Sequence, residues 1–254
     1  MVFSEYSKYY DLVYKDKDYS AEVEYILALL KKHLPLARSI LEFGSGTGIH
    51  GKLLAQKGYS VFGIEQSSDM VEKAKASEIQ GFDCKVGDIC NLNLEKKYDV
   101  VLSLFHVLSY LTTNTQIIAA FKNAHNHLEK DGLFIFDVWY TPAVYMQVPE
   151  VRIKRMEDEN YSVLRIAEPN VLFNKNVVEV NYTIFVKNKK NNNSEFEIKE
   201  SHPMRHYSIP EIELIAGIAG FSLEKTEEFL TGSDIGPKTS GACFVFKKIT
   251  KSSI

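Results

Sequence analysis

The chain has 254 residues, of which 45% are hydrophobic and 25% charged, and a net charge of −3. That length suits one domain, or one domain carrying an insertion, with a sizeable core. The mild acidity excludes a general basic field for nucleic acid or acidic lipid, and the apolar runs, such as residues 100–105, are far too short to span a bilayer.

Three cysteines (Cys84, Cys90, Cys243) form neither an even disulfide framework nor a CxxC pair and read as small thiols. The polar start Ser4-Glu5-Tyr6-Ser7-Lys8 carries no apolar leader. The expectation is a cytoplasmic protein without nucleic-acid or membrane partners.

Val23, Ile26, Leu27 and Leu30 recur at helical spacing and predict an amphipathic helix over residues 20–33. Glu22 and Glu24 sit in its first turn and Lys31, Lys32 and His33 in its last, as the helix dipole favours, and Pro35 closes it. Ser39–Phe43 reads as a strand, 48–57 as a helix ended by Gly58, 59–64 as a second strand, and 68–77 as a helix with Met70, Val71 and Ala74 on one side. Phe82–Val86 is a third strand, and the near-continuous apolar run 98–104 suits a central parallel strand. Thr113 and Gln116 make a capping box. The helix behind them turns Ile117, Phe121, Ala124 and Leu128 inward and ends at Asp131-Gly132, before a fifth strand over 133–138. Strands alternating with helices mean a parallel, doubly wound sheet.

After Pro142 the pattern changes to strands in succession, at 151–156, 161–168, 177–186 and 195–202, with turns at Asn174-Lys175-Asn176 and in the asparagine-rich run 188–193. A helix over 210–219, capped by Gly220, and strands at 221–229 and 242–248 close the chain. The predicted fold class is α/β: a doubly wound, mostly parallel seven-stranded sheet with an antiparallel β insertion after strand five. The expected division is a helical segment at 1–34, a core at 35–140 and 207–250, and the insertion at 141–206.

The run Ile40-Leu41-Glu42-Phe43-Gly44-Ser45-Gly46-Thr47-Gly48 carries the clearest chemistry. Alternating glycines permit positive φ and close approach of a ligand to backbone, and the next helix points free N–H groups at the same spot. Gly46 to Gly51 formally matches GxGxxG, but the first glycine of that dinucleotide fingerprint belongs at the strand end, which is Gly44, and the third position is then Ile49. An NAD-dependent dehydrogenase also leaves Glu42 unexplained.

Read as acid-x-Gly-x-Gly-x-Gly, this segment resembles motif I of the class I S-adenosylmethionine-dependent methyltransferases. Glu65 in Gly63-Ile64-Glu65, followed by Gln66, resembles the acid that chelates the ribose diol. Asp88 in Val86-Gly87-Asp88-Ile89 resembles the adenine-facing acid, with Ile89 packing the ring. Leu104-Phe105-His106 resembles the loop under the methionine arm, and the stretch from Leu128 to Gly132 resembles the family's connection into strand five. The resemblance covers residues 39–138. It implies a cofactor site of Glu42, Gly44, Ser45, Gly46, Glu65, Gln66, Asp88, Ile89 and Leu104, with Met70, a core residue by its spacing, where the family often places an apolar contact. A carboxylate can accept both ribose hydroxyls. The cofactor is S-adenosylmethionine, its product S-adenosylhomocysteine, and no metal is expected.

The opening Tyr9-Tyr10-Asp11-Leu12-Val13-Tyr14 with Lys17-Asp18-Tyr19 is similar to the branch that includes the sugar N,N-dimethyltransferases acting on nucleotide-linked amino sugars. That similarity implies an N-terminal lid, with Tyr14 and Tyr19 near the cofactor and Tyr10 near the acceptor or the chemistry; Tyr6 belongs to the same cluster. His106 is the first candidate for a base, since it follows strand four at the carboxyl edge of the sheet. Tyr110 falls nearer the position of the loop histidine in the amino-sugar enzymes. Asp137, Trp139 and Arg205 are candidates for holding the acceptor. Arginines and lysines in or beside the insertion, Arg165 among them, read mostly as its wet face. His125 and His127, two apart on a helix, do not share a metal.

The expected function is methyl transfer to N or O of a small polar acceptor, foremost a sugar or nucleotide-linked sugar. Another small metabolite, or cofactor binding without turnover, stays open as an alternative. Leu104-Phe105-His106-Val107 replaces the Asn/Asp-Pro-Pro-aromatic run of enzymes that methylate base amino groups. Pairing of two copies through the insertion is a further expectation.

Overall fold

A computed structural model of the protein describes residues 9–190 and 194–250, and for Tyr10 and Asp11 the backbone alone. Five strands, β1 (Ser39–Phe43), β2 (Ser60–Glu65), β3 (Phe82–Val86), β4 (Tyr98–Ser103) and β5 (Leu128–Trp139), run parallel in one sheet. β10 (Phe221–Glu228) and β11 (Gly241–Lys248) complete it, β11 pairing antiparallel with both β5 and β10, in the order β10-β11-β5-β4-β1-β2-β3. The order reverses direction between β1 and β4, where an open α/β sheet forms its ligand crevice.

Alternation along β1 decides what each face buries. Leu41 and Phe43 join a core with α5 (Asn114–His127) and α7 (Ile209–Ala219), packed by Phe121, Phe134, Phe136, Phe221, Phe244 and Phe246. Ile40 faces the other way, onto α2 (Tyr19–His33) and α3 (Ile49–Gln56), with Val23, Ile26, Leu30 and Leu54. Glu42 shares that second face, where Glu22 of α2 and His50 of α3 are buried as well. α4 (Ser68–Lys75) covers β3 through Val71 and Ala74.

The insertion is a separate antiparallel sheet of β6 (Arg152–Glu157), β7 (Tyr161–Leu172), β8 (Val177–Asn188) and β9 (Glu195–Arg205). The β7–β8 hairpin turns through Phe173–Lys175 with Asn176 at φ 53°, which asparagine tolerates better than most residues. The short α1 (Tyr10–Val13) seats on this sheet rather than on the core: Tyr9 and Val13 pack with Met156, Val163, Ile184, Val186 and Ile198. Tyr6, the side chain of Tyr10 and residues 191–193 of the asparagine run lie outside the described residues.

Several element ends differ from the sequence reading: β7, β8 and β9 run on to Leu172, Asn188 and Arg205, and the region around β5 differs most. The helix expected to reach Asp131-Gly132 stops at His127, and β5 begins at Leu128, whose ψ of 142° is already extended. His127 fixes that stop, with Nδ1 on the Asn123 carbonyl at 2.8 Å and Nε2 accepting the Leu94 N–H at 2.9 Å. Before the strands expected after Pro142, that residue opens the short α6 (Thr141–Met146), as a proline in a first helical turn can. Among the described residues no helix is long and apolar enough to cross a membrane.

Candidate functional site: a glycine cradle and a histidine–aspartate pair

The chain leaves β1 into Gly44, Gly46 and Gly48, with φ of 69°, 54° and 79°. These values strain any other residue. At Gly44 a Cβ would also meet the Val107 γ-carbons at 2.5 Å. At Gly46 it would meet only the Met70 sulfur, 4.0 Å away, so the space above that glycine is open to a ligand. Met70 is itself 2% exposed and forms the floor there.

Three acids surround the cradle. Glu65 Oε2 accepts the Gly46 N–H at 3.0 Å and Oε1 the Ser67 N–H at 2.9 Å, so the carboxylate ties the loop to the end of β2. Burial pushes its carboxyl above the ordinary range, and the N–H groups of Ser67, Gly46 and Gln66 oppose that. Asp88 closes the turn after β3, its Oδ1 accepting the Cys90 N–H at 2.8 Å and its Oδ2 the Asn91 side-chain N–H at 3.2 Å; Ile89 beside it is buried. Glu42 is 2% exposed, and neither its Oε2 nor the buried Oγ of Ser45 has a hydrogen-bond partner among the described residues. Burial, with the Glu65 charge, pushes Glu42 up to about 8. Glu42 Oε2 faces Gly51 of α3 and Ser45 Oγ faces Gly63 of β2, and buried polar atoms without partners are uncommon enough to set this turn apart from the rest of the core.

The turn after β4 is the second half of the site. Phe105 and His106, at φ 65° and 60°, are consecutive non-glycine residues in the left-handed region. Such strain costs on the order of 1–3 kcal/mol per residue and persists only where neighbours impose it. Asp137, on β5 and 1% exposed, imposes it: both its oxygens accept the His106 backbone N–H, at 3.3 and 3.2 Å, and Oδ2 lies 2.7 Å from His106 Nδ1. Burial alone would raise the Asp137 carboxyl, but the charge and hydrogen bonds of His106, with Lys17, hold it below the usual carboxylate range. Trp139 stands edge-on to His106, ring centroids 6.1 Å apart.

The N-terminal segment reaches this turn. The Lys17 ammonium lies 4.2 Å from the Tyr19 ring centroid and 4.3 Å from that of Phe105, and pairs with Glu22. Glu22 Oε2 also meets His50 Nε2 at 2.6 Å, and His50 Nδ1 is 4.0 Å from Glu42. Tyr14 packs edge-on against Phe105 at 5.1 Å, and Tyr19 against His50 at 5.0 Å. Sequence reasoning named the tyrosines but missed Lys17, Glu22 and His50. The one signal was the charged Lys17 inside the Lys17-Asp18-Tyr19 run.

The remaining candidates fall in different places. Leu104 is buried beneath the turn, Gln66 is exposed at the mouth of β2, and Tyr110 lies one short 3-10 turn (Val107–Tyr110) beyond His106, against the insertion. Arg205 does not point a free guanidinium at an acceptor: it pairs with Glu211 and covers the Tyr207 ring, because β9 ends where α7 begins. His125 meets the Ile249 carbonyl, and no group of three metal-ligating side chains occurs among the described residues.

Residues 40–132, which hold the cradle, Glu65, Asp88 and His106, match the family model of the methyltransferase domain. That segment of the chain is a methyltransferase domain. A dTDP-3-amino-3,4,6-trideoxy-α-D-glucopyranose N,N-dimethyltransferase of Streptomyces venezuelae is 31% identical over 138 residues, 54% of this chain and 58% of that one. The chain thus matches little more than half the length of that relative. A dTDP-3-amino-3,6-dideoxy-α-D-glucopyranose N,N-dimethyltransferase of Streptomyces fradiae is 26% identical over 91% of this chain and 88% of its own. The fold matches that of an S-adenosylmethionine-dependent methyltransferase from Clostridium acetobutylicum with a TM-score of 0.81, at 20% identity, over 97% of this chain and 100% of that one. The architecture shared with that structure therefore extends past residue 132 into the antiparallel insertion, and the positive-φ glycines with the open face of Gly46 leave room for a ligand against the backbone at the end of β1.

Proposed function

We propose that the chain transfers methyl groups from S-adenosylmethionine to the amine of a small acceptor, a nucleotide-linked amino sugar. The His106–Asp137 pair carries this reading: a buried carboxylate orients an imidazole at the carboxyl edge of the sheet, beside the cradle. Both relatives named above act on dTDP-linked amino sugars, which supplies the acceptor class. The bound cofactor supplies an electrophilic methyl on a sulfonium.

The chain's own residues do the rest. Glu65 accepts the ribose hydroxyls, Asp88 and Ile89 face the adenine, and the loop of Gly44, Ser45 and Gly46 with Glu42 holds the amino-acid end. Tyr14 and Tyr19 close over it from the lid (1–34), which together with the core (35–140, 207–250) and insertion (141–206) makes up the working unit. Asp137 keeps the proton of His106 on Nδ1, leaving Nε2 to take the acceptor's proton. Trp139 and the inner face of the insertion line the acceptor's side, and Tyr10 belongs there by its place in the lid. Exposed Ile153 and Phe185, which share one face of the insertion sheet, give it apolar surface through which two copies would pair.

The test is mass spectrometry of products formed from S-adenosylmethionine and a panel of dTDP-amino sugars. Mass gains of one and then two methyl groups on a panel member are expected; an unmodified panel overturns the acceptor. Glu65→Ala removes two charge-assisted acceptors and frees the Gly46 N–H. Calorimetry should show S-adenosylhomocysteine binding about 10- to 100-fold more weakly, the equivalent of one or two hydrogen bonds to a charged group. Unchanged affinity removes Glu65 from the site.

A further inference from the structure

A second ionisable cluster lies buried in the insertion, away from the glycine cradle. Glu200 and His202 are two apart on β9 and share its inward face, between the apolar Ile198 and Met204. Their side chains are 5% and 1% exposed, with Glu200 Oε2 3.1 Å from His202 Nε2. The other ring nitrogen, Nδ1, is 3.0 Å from the Tyr110 hydroxyl. Tyr182 from β8 stands edge-on to the imidazole at 4.8 Å, and the Arg165 guanidinium lies 5.2 Å from the Tyr182 ring.

Burying a carboxylate and an imidazole costs several kcal/mol unless each satisfies the other, and apolar side chains would pack the same space without that cost. The pair therefore does something that its apolar neighbours cannot. With a neutral imidazole between these two partners, the placement of the hydrogens follows. A carboxylate only accepts, so the hydrogen of a neutral imidazole sits on Nε2. Nδ1 then offers a lone pair, and the Tyr110 O–H must donate to it. A phenol has a single hydrogen, so toward any further partner the Tyr110 oxygen can only accept.

The placement of Tyr110 gives this polarity a use. The 3-10 turn that it ends begins at His106, so the turn is held at one end by Asp137 from the core and at the other by His202 from the insertion. We propose that Glu200 and His202 are positioning residues that make the Tyr110 oxygen a hydrogen-bond acceptor for an N–H of the nucleophile. The functional half of this inference rests on the amine-acceptor reading above. It also bears on the number of methyl groups: an uncharged nitrogen that has received two has no N–H left to offer.

Long-range proton–nitrogen correlation spectra of the full chain labelled with 15N-histidine decide the relay without any turnover. At pH 7.5 His202 should show the tautomer protonated on Nε2, and Glu200→Gln should abolish that preference. A proton on Nδ1, or a doubly protonated ring, overturns the relay. With dTDP-3-amino-3,6-dideoxyglucose as the acceptor, His202→Gln and Tyr110→Phe should each lower kcat/KM for the acceptor about tenfold, the equivalent of one hydrogen bond. Calorimetric affinity for S-adenosylhomocysteine should not change, and the double variant should be no worse than Tyr110→Phe alone. Additive losses, or parallel loss of S-adenosylhomocysteine binding, overturn the positioning role. An unaltered enzyme that does not methylate this sugar while His202 keeps its Nε2 proton overturns the amino-sugar acceptor and not the relay.

Discussion

Asp137→Asn should lower kcat by about 100-fold or more, the range of a lost general base, and leave S-adenosylhomocysteine affinity within about twofold. The carboxylate acts at two levels. Its oxygens hold the His106 backbone in a left-handed turn, and Oδ2 lies 2.7 Å from Nδ1 as a charge contact. An amide in its place presents a donor to one of those two groups, and the imidazole is driven to the other tautomer with its lone pair turned away from the acceptor. His106→Ala then separates the two kinds of nucleophile. A hydroxyl acceptor needs its proton removed during attack, so the loss should persist at every pH. An amine needs only to be neutral, so the variant should recover most of the rate as pH rises past the amine's own pKa. Steady-state rates from pH 6 to 10 read this directly, and a variant as fast as the original enzyme at pH 7 would return His106 to a purely structural role.

The parts of the site that were legible in the sequence are those carried by one segment. Glu42 and the glycines follow a strand that apolar periodicity places, and Glu65 and Asp88 mark the ends of two more, so linear spacing was enough. Groups joined across the fold were not legible. His106 and Asp137 are 31 positions apart, and they meet because β4 and β5 pair with Ser103 opposite Phe136. Tyr110 and His202 are 92 apart, one at the end of a 3-10 turn after β4 and the other on a strand of the insertion sheet. Periodicity marked β9 as a strand but gave no reason to expect an ion pair on its inward face, and for Arg205 it gave no sign of the Glu211 partner across the β9–α7 junction. The seat of α1 was equally hidden, because an aromatic-rich turn of helix can cover either sheet, and its contacts with Val163 and Ile184 come from strands more than a hundred residues later.

Raising the pH from 5 to 8 should destabilise the ligand-free protein through Glu42 while favouring the bound one. Burial, helped by the Glu65 charge, moves this carboxyl from 4.5 to about 8. Between those values the folded chain holds a proton that the unfolded chain has released, so stability falls as pH rises. Over the whole window the term is on the order of 4 kcal/mol. Glu42→Gln is uncharged in both states and should lose that slope, which thermal unfolding at a series of pH values would show as a flatter profile than that of the unaltered chain. A cationic ligand reverses the balance, since a positive charge beside a carboxylate favours its ionised form. Binding of S-adenosylmethionine near pH 7 should therefore release a proton, seen as a dependence of calorimetric heat on the ionisation enthalpy of the buffer, and the dependence should vanish in Glu42→Gln. Equal proton release in both proteins would remove Glu42 from the linkage. An ionised Glu42 also distinguishes a sulfonium from the neutral thioether left after transfer, so Glu42→Gln should weaken S-adenosylmethionine more than S-adenosylhomocysteine. The buried acid at the end of β1 would then serve turnover twice, by drawing in the charged methyl donor and by loosening the hold on its uncharged sulfur once the methyl has gone.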